Sequence, residues 1–172
     1  PIWQTLKIVN EIEHIMGCAP ERIFVEMARE PGQKGERKIS RRTALQQLYR
    51  SCQKEVPELY NSLSQSRDDN AFRSDKLYLY YAQLGRCMYS NEVIDFNDLF
   101  TNRYDIDHIY PQSKVMDDSM DNRVLVKREL NSNKSDAFPV PLDYVNNAKD
   151  LWQTLLQKKL ITKEKYHRLT RR

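Results

Sequence analysis

Residues 104–113 read YDIDHIYPQS. Asp107 and His108 stand side by side in an apolar, strand-like run, and Pro111, which has no N–H to give a sheet ladder, stops it. The pairing is half of a metal-dependent phosphodiesterase site. A negatively charged phosphate repels hydroxide, so a divalent cation has to neutralise it while a base deprotonates the attacking water. Asp107 suits the cation, and His108, with an ordinary pKa of about 6.5, suits the base.

A complete site needs a further oxygen ligand, and Asn131 is the candidate. Asp107 and Asn131 are 24 residues apart, a stretch that spans roughly 80 Å when extended, so the two meet only if the chain doubles back. The intervening residues suit a reversal. Asp117, Asp118, Ser119, Asp121 and Asn122 are turn formers, Val124 to Val126 favour a strand beside the first, and a short helix follows from about Lys127 with Asn131 on its first turns. Asp105 is the rival ligand, because residues two apart share a strand face. Asn122 is expected to tie the loop through side-chain to backbone hydrogen bonds. Lys134 is either a cation for the phosphate or an ordinary surface lysine. In a regular strand Asp107 and His108 point to opposite faces, so the strand has to twist or end there.

Strand, loop, strand and helix around one cation is the arrangement of the HNH nucleases. DIDHIYPQS, DDSMDNRVL and NSNKSD together resemble the HNH nuclease domain of the type II CRISPR-associated RNA-guided DNA endonuclease. RIFVEMARE at 22–30, QKGER at 33–37, KLYLYYAQLGRCMY at 76–89 and the C-terminal LWQTLLQKKLITKEKYHRLT resemble that family in the same order. The resemblance implies an α+β, mostly helical fold, with a ββα-metal core of two short antiparallel strands and a helix surrounded by further helices. It implies Mg²⁺, or Mn²⁺, held by Asp107 and Asn131 with His108 as general base and Asn122, Lys134 and Asp105 supporting; the lack of any C-x-x-C pair speaks against a structural zinc. The strand cut is then the one paired to a guide RNA, after a domain movement that follows full pairing. Expected partners are that RNA–DNA heteroduplex, the remaining domains of a parent effector, and phage inhibitor proteins; the expected location is the bacterial cytoplasm.

RIFVEMARE also resembles the middle piece of the effector's split ribonuclease H-like (RuvC-like) domain. There its glutamate, here Glu26, is a metal ligand whose partner carboxylates lie in other pieces of the chain. Residues 1–32 are accordingly read as a fragment of that domain and 33–172 as the HNH domain, with the start at Pro1 a cut inside a larger protein. A free-standing HNH nicking or homing endonuclease, or a catalytically silent nucleic-acid-binding module, are the other classes. The flanking segments disfavour the first.

Composition agrees with a soluble domain: among 172 residues, 40% are hydrophobic, enough for a core. Twenty-eight basic against 24 acidic side chains leave a net charge of only +4, a weak signature for nucleic acid. Lys34, Arg37, Lys38, Arg41, Arg42 and Arg50 face a single Glu36 and form either a phosphate-binding patch or a solvated linker. Cys18, Cys52 and Cys87 form no C-x-x-C pair and read as free buried thiols. No stretch approaches the ~20 apolar residues of a membrane helix, and no secretory leader is evident.

Periodicity predicts an amphipathic helix through Leu6, Ile8, Val9, Ile12, Ile15 and Met16, closed by Gly17. A buried strand is expected over Ile23 to Met27 and a linker over Pro31 to Lys38. A long helix is expected from Leu45 to Leu63, interrupted or restarted at Pro57. Further helices are read at Leu77 to Leu84, Tyr144 to Leu156 and Lys163 to Leu169, the last capped by Thr162. His14 and His167 are expected to be exposed.

Overall fold

In the computed structural model, residues 2–22, 39–66 and 68–171 are described. The chain divides into two units, Pro1–Lys38 and Ile39–Arg172. The expected strand at 23–27, Glu26, the linker, and Lys34, Arg37 and Lys38 of the basic run lie outside the described residues, as does the expected boundary at 32/33.

In the first unit, helix α1 spans Ile2–Met16 and ends at Gly17, whose φ of 67° is one that a residue without Cβ adopts at no steric cost. Of its apolar residues, Leu6, Ile8, Ile12 and Ile15 are exposed and Val9 is half-buried. Cys18, just past the helix end, is exposed too, so the expectation of three buried thiols fails there, whereas Cys52 and Cys87 are buried.

The second unit is built around strands β1, Tyr104–His108, and β2, Arg123–Lys127, paired antiparallel with Asp107 opposite Val124 and His108 opposite Arg123. Val124, Leu125 and Val126 are all fully buried, so both faces of β2 are covered. The side-chain amide of Gln83 covers part of its edge like a third strand: Nε2 donates to Leu125 O at 2.9 Å and Oε1 accepts from Leu125 N at 2.7 Å. β1 ends at His108, with Asp107 and His108 both still in register with β2. Ile109 N still donates to Asn122 O at 2.8 Å, Tyr110 N donates instead to the Asn122 side chain at 2.8 Å, and Pro111 has no N–H.

Helices surround this pair. α2 spans Arg41–Tyr49 and α3 spans Pro57–Gln65, with Pro57 at the first turn, where its missing N–H costs nothing. The helical run expected from Leu45 to Leu63 is restarted at Pro57, as expected there, with turns over 50–56 between the two helices. α4 is Asp75–Ala82, α5 is Arg128–Lys134, α6 is Leu142–Gln157 and α7 is Lys163–Thr170. α6 buries Ala148, Leu151, Trp152 and Leu155, the i, i+3, i+4, i+7 stripe of a helix facing a core, and Trp152 Nε1 donates to Met88 O at 2.8 Å. Thr162 Oγ1 caps α7 by accepting from Lys165 N at 3.0 Å. His14 and His167 are exposed, as expected. The result is an α+β fold, mostly helical, on a ββα centre. No described helix is long and apolar enough to cross a membrane.

Candidate active site

α5 begins directly after β2 and lies against both strands. Asn131 and Lys134, three residues apart, share one of its faces, and Asp105 and Asp107 share one face of β1. The two faces meet. The Asn131 side chain helps to stabilise the Asp105 carboxylate, and Lys134 Nζ lies 3.0 Å from Asp107 Oδ2.

Lys134 is not the surface lysine that its residue type suggests. Its side chain is 0% exposed and that of Asp107 is 9%, and its ammonium also donates to His108 O at 2.9 Å. A buried ammonium persists when its protons find acceptors, and here a carboxylate and the carbonyl ending β1 supply them. Tyr89 OH donates to the same Asp107 Oδ2 at 2.6 Å. Burial first, then the charge and hydrogen bond of Asp107, push the Tyr89 phenol well above its ordinary value, so Tyr89 is a standing donor. It stacks on Tyr144 at 5.0 Å between centroids, and Tyr144 OH donates to Leu130 O at 3.1 Å, fixing α6 to α5.

Asp105 is engaged by Arg128, whose Nε lies 2.9 Å from Oδ2 and Nη2 3.2 Å from Oδ1. That hydrogen bond, with a smaller contribution from Asn131, holds the Asp105 carboxyl below its ordinary range. A rival ligand already paired to a guanidinium is a weaker donor to a cation than Asp107 Oδ1, because both described contacts of Asp107 fall on Oδ2.

The ring of His108 turns toward the loop between the strands. Its Nε2 lies 2.9 Å from Asp118 Oδ1, and Gln112 Nε2 donates to the same oxygen at 2.7 Å. The loop is held from both sides. Asn122, 0% exposed, donates through Nδ2 to Tyr110 O at 3.0 Å and to Asp117 O at 2.8 Å, and so ties the loop ends. From α7, Arg168 pairs with Asp117 at 2.5 Å, Thr162 donates to Asp121 at 2.7 Å, and Lys165 Nζ donates to Met120 O at 3.0 Å and Arg123 O at 2.6 Å.

Tyr89, Gln112, Asp118 and Lys165 are the participants that residue spacing does not reveal. One signal was within reach for Asp118: an antiparallel return confines the loop ends beside His108, so an acidic residue within that loop has few places to be. For Tyr89 and Lys165 no local signal exists, since both reach the site from distant elements.

The donors fit a hard divalent cation. Among the described residues no group of three or more His, Cys, Asp and Glu is arranged to hold a metal ion, so protein donors would be few: Asp107 Oδ1 and the Asn131 amide oxygen are of the hard type that Mg²⁺ takes while keeping several waters.

Residues 87–140, which contain β1, β2 and α5, match the family described as HNH endonuclease. The chain is 40% identical over 99% of its length to the CRISPR-associated endonuclease Cas9 of Listeria innocua, and 40% identical over 99% of its length to that of Streptococcus mutans. It is 45% identical to the Staphylococcus aureus Cas9 over 38% of its length. It spans 12% of the length of the first two relatives.

Proposed function

This chain belongs with the HNH endonuclease domains of the Cas9 family, and we propose that, within a longer RNA-guided endonuclease, it hydrolyses the DNA strand paired to the guide. The observation that carries the reading is the ββα unit that presents a buried, lysine-paired Asp107 next to His108, with Asn131 on the facing helix.

In this mechanism His108 takes the proton from the attacking water as general base. Asp107 and Asn131 would hold Mg²⁺, which supplies charge neutralisation at the phosphate and at the departing oxygen. Tyr89 and Lys134 hold the Asp107 carboxylate in one orientation, and the Lys134 ammonium adds a positive charge beside it. Asn122 fixes the loop against which the His108 ring rests. Mn²⁺ would be held by the same oxygen donors. Glu26 acts only with carboxylates from other parts of the longer protein. The proposed setting is the bacterial cytoplasm, in antiviral defence, with the guide RNA–DNA heteroduplex, the other domains of the protein and phage inhibitor proteins as partners.

The test is the metal requirement of strand-specific cutting in the full-length protein. Asn131→Ala is expected to raise the Mg²⁺ concentration for half-maximal cutting of the guide-paired strand, since it removes a donor. Cutting by wild type that persists in excess chelator, or an unchanged Mg²⁺ requirement in Asn131→Ala, overturns the assignment.

A further inference from the structure

Asp118 was read from sequence as one of several turn formers, yet its carboxylate lies 2.9 Å from His108 Nε2. A carboxylate accepts and does not donate, so the nitrogen facing it carries the proton. In the neutral ring Nδ1 is then the only nitrogen with a free lone pair, and a base needs one. Gln112 Nε2 donates to Asp118 Oδ1 at 2.7 Å and stands 3.3 Å from His108 Nε2, where it competes as a donor; the shorter 2.9 Å contact of the ring Nε2 with a carboxylate, which can only accept, decides the tautomer.

Asp118 is itself exposed, with 73% of its side chain accessible, and an isolated surface pair of this kind contributes little. Its loop, however, is tied on both sides of it. Asp117, next to it, pairs with Arg168 and accepts from Ser119 N at 2.8 Å, and Asn122 closes the loop against Tyr110. The carboxylate is thus presented to the ring by a braced backbone, and the hydrogen bonds from His108 and then Gln112 hold its carboxyl below the ordinary range.

We propose that Asp118 is the positioning residue of His108: by accepting the Nε2 proton it fixes the ring's tautomer and orientation, leaving Nδ1 to take the proton from water. This rests on the reading of His108 as the general base. It acts as an orienting carboxylate does beside metal-bound imidazoles, where loss of the outer partner typically costs about 10- to 100-fold.

The test has two arms. In the 172-residue chain, ¹⁵N NMR at about pH 8.5, well above the ordinary imidazole pKa of ~6.5, reads the protonation of each ring nitrogen, with His108→Ala assigning the signals among the three histidines. The expected result is a protonated Nε2 and bare Nδ1, which becomes a mixture of tautomers in Asp118→Ala and is retained in Asp118→Asn, whose amide oxygen still accepts. A bare Nε2 in wild type, or a spectrum indifferent to Asp118→Ala, overturns the proposal whatever the function. In the full-length protein under single turnover, Asp118→Ala is expected to lower the rate of guide-paired strand cutting about 10- to 100-fold with DNA affinity unchanged, and Asp118→Asn to recover part of it. Full activity in Asp118→Ala while His108→Ala is inactive refutes positioning and spares the function; full activity in both refutes the function itself.

Discussion

Replacing Lys134 with methionine keeps the length of the side chain and removes its charge. The side chain of Lys134 is inaccessible to solvent and that of Asp107 nearly so, so the substitution leaves a buried carboxylate with Tyr89 as its remaining described donor, and takes a donor from His108 O. Breaking a buried pair by removing one partner costs about 3–5 kcal/mol. For a unit of this size each kcal/mol moves the midpoint by roughly 3–5 °C, so thermal melts followed by circular dichroism should fall by about 10–20 °C. Lys134→Met combined with Asp107→Leu removes both charges and should cost less than the sum of the single changes, because the penalty belongs to the orphaned ion. Mg²⁺ provides an independent check: a cation at Asp107 replaces the lost charge, and at tenfold its dissociation constant it should return about 1.4 kcal/mol. A loss below about 1 kcal/mol for Lys134→Met, or strict additivity in the double variant, refutes the idea that Asp107 is held by a buried ion pair.

Burial pushes the Lys165 ammonium down to about 7, against the opposing pull of Asp121. A folded-state value below the ordinary 10.5 means that the unfolded chain binds the proton more tightly, so urea midpoints should rise as pH climbs from about 7 to about 10.5 and Lys165→Met should flatten that rise. Thr162→Ala removes the cap of α7 and its bond to Asp121, and should cost about 1 kcal/mol in equilibrium unfolding. With a net charge of +4, the isolated chain should bind duplex weakly, lose that binding steeply with added salt, and cut slowly, since guided placement of a substrate is worth several orders of magnitude in rate; efficient cutting by these 172 residues at physiological salt would favour a free-standing endonuclease.

The elements set by local chemistry were legible in the sequence. Val124 to Val126 favour a strand, Pro111 ends one, Pro57 starts a helix, and the Thr162 hydroxyl supplies a cap; each acts over a few residues. The pairing of β1 with β2 followed from the need to return Asn131 to Asp107. Side-chain fates set by distant packing were not legible. Lys134 looks like any surface lysine until Asp107 is buried opposite it, and Tyr89 meets Asp107 across 18 residues of chain with Tyr144 at its back. Asp118 was assigned only to a turn because turn propensity is local, whereas its contact with His108 depends on how the loop is braced from α7. The restart at Pro57 was legible but the earlier end of α2 at Tyr49 was not, since residues 50–56 keep a buried Cys52 without keeping helical backbone.

The most direct measurement labels each DNA strand separately in the full-length protein with its guide and Mg²⁺, and compares wild type with His108→Ala under single turnover, alongside duplex affinity. The account predicts that cutting of the guide-paired strand disappears while cutting of the other strand and DNA affinity persist, because a general base acts in the chemical step alone. Guide-paired strand cutting that survives His108→Ala, or its loss in parallel with DNA binding, would contradict the account.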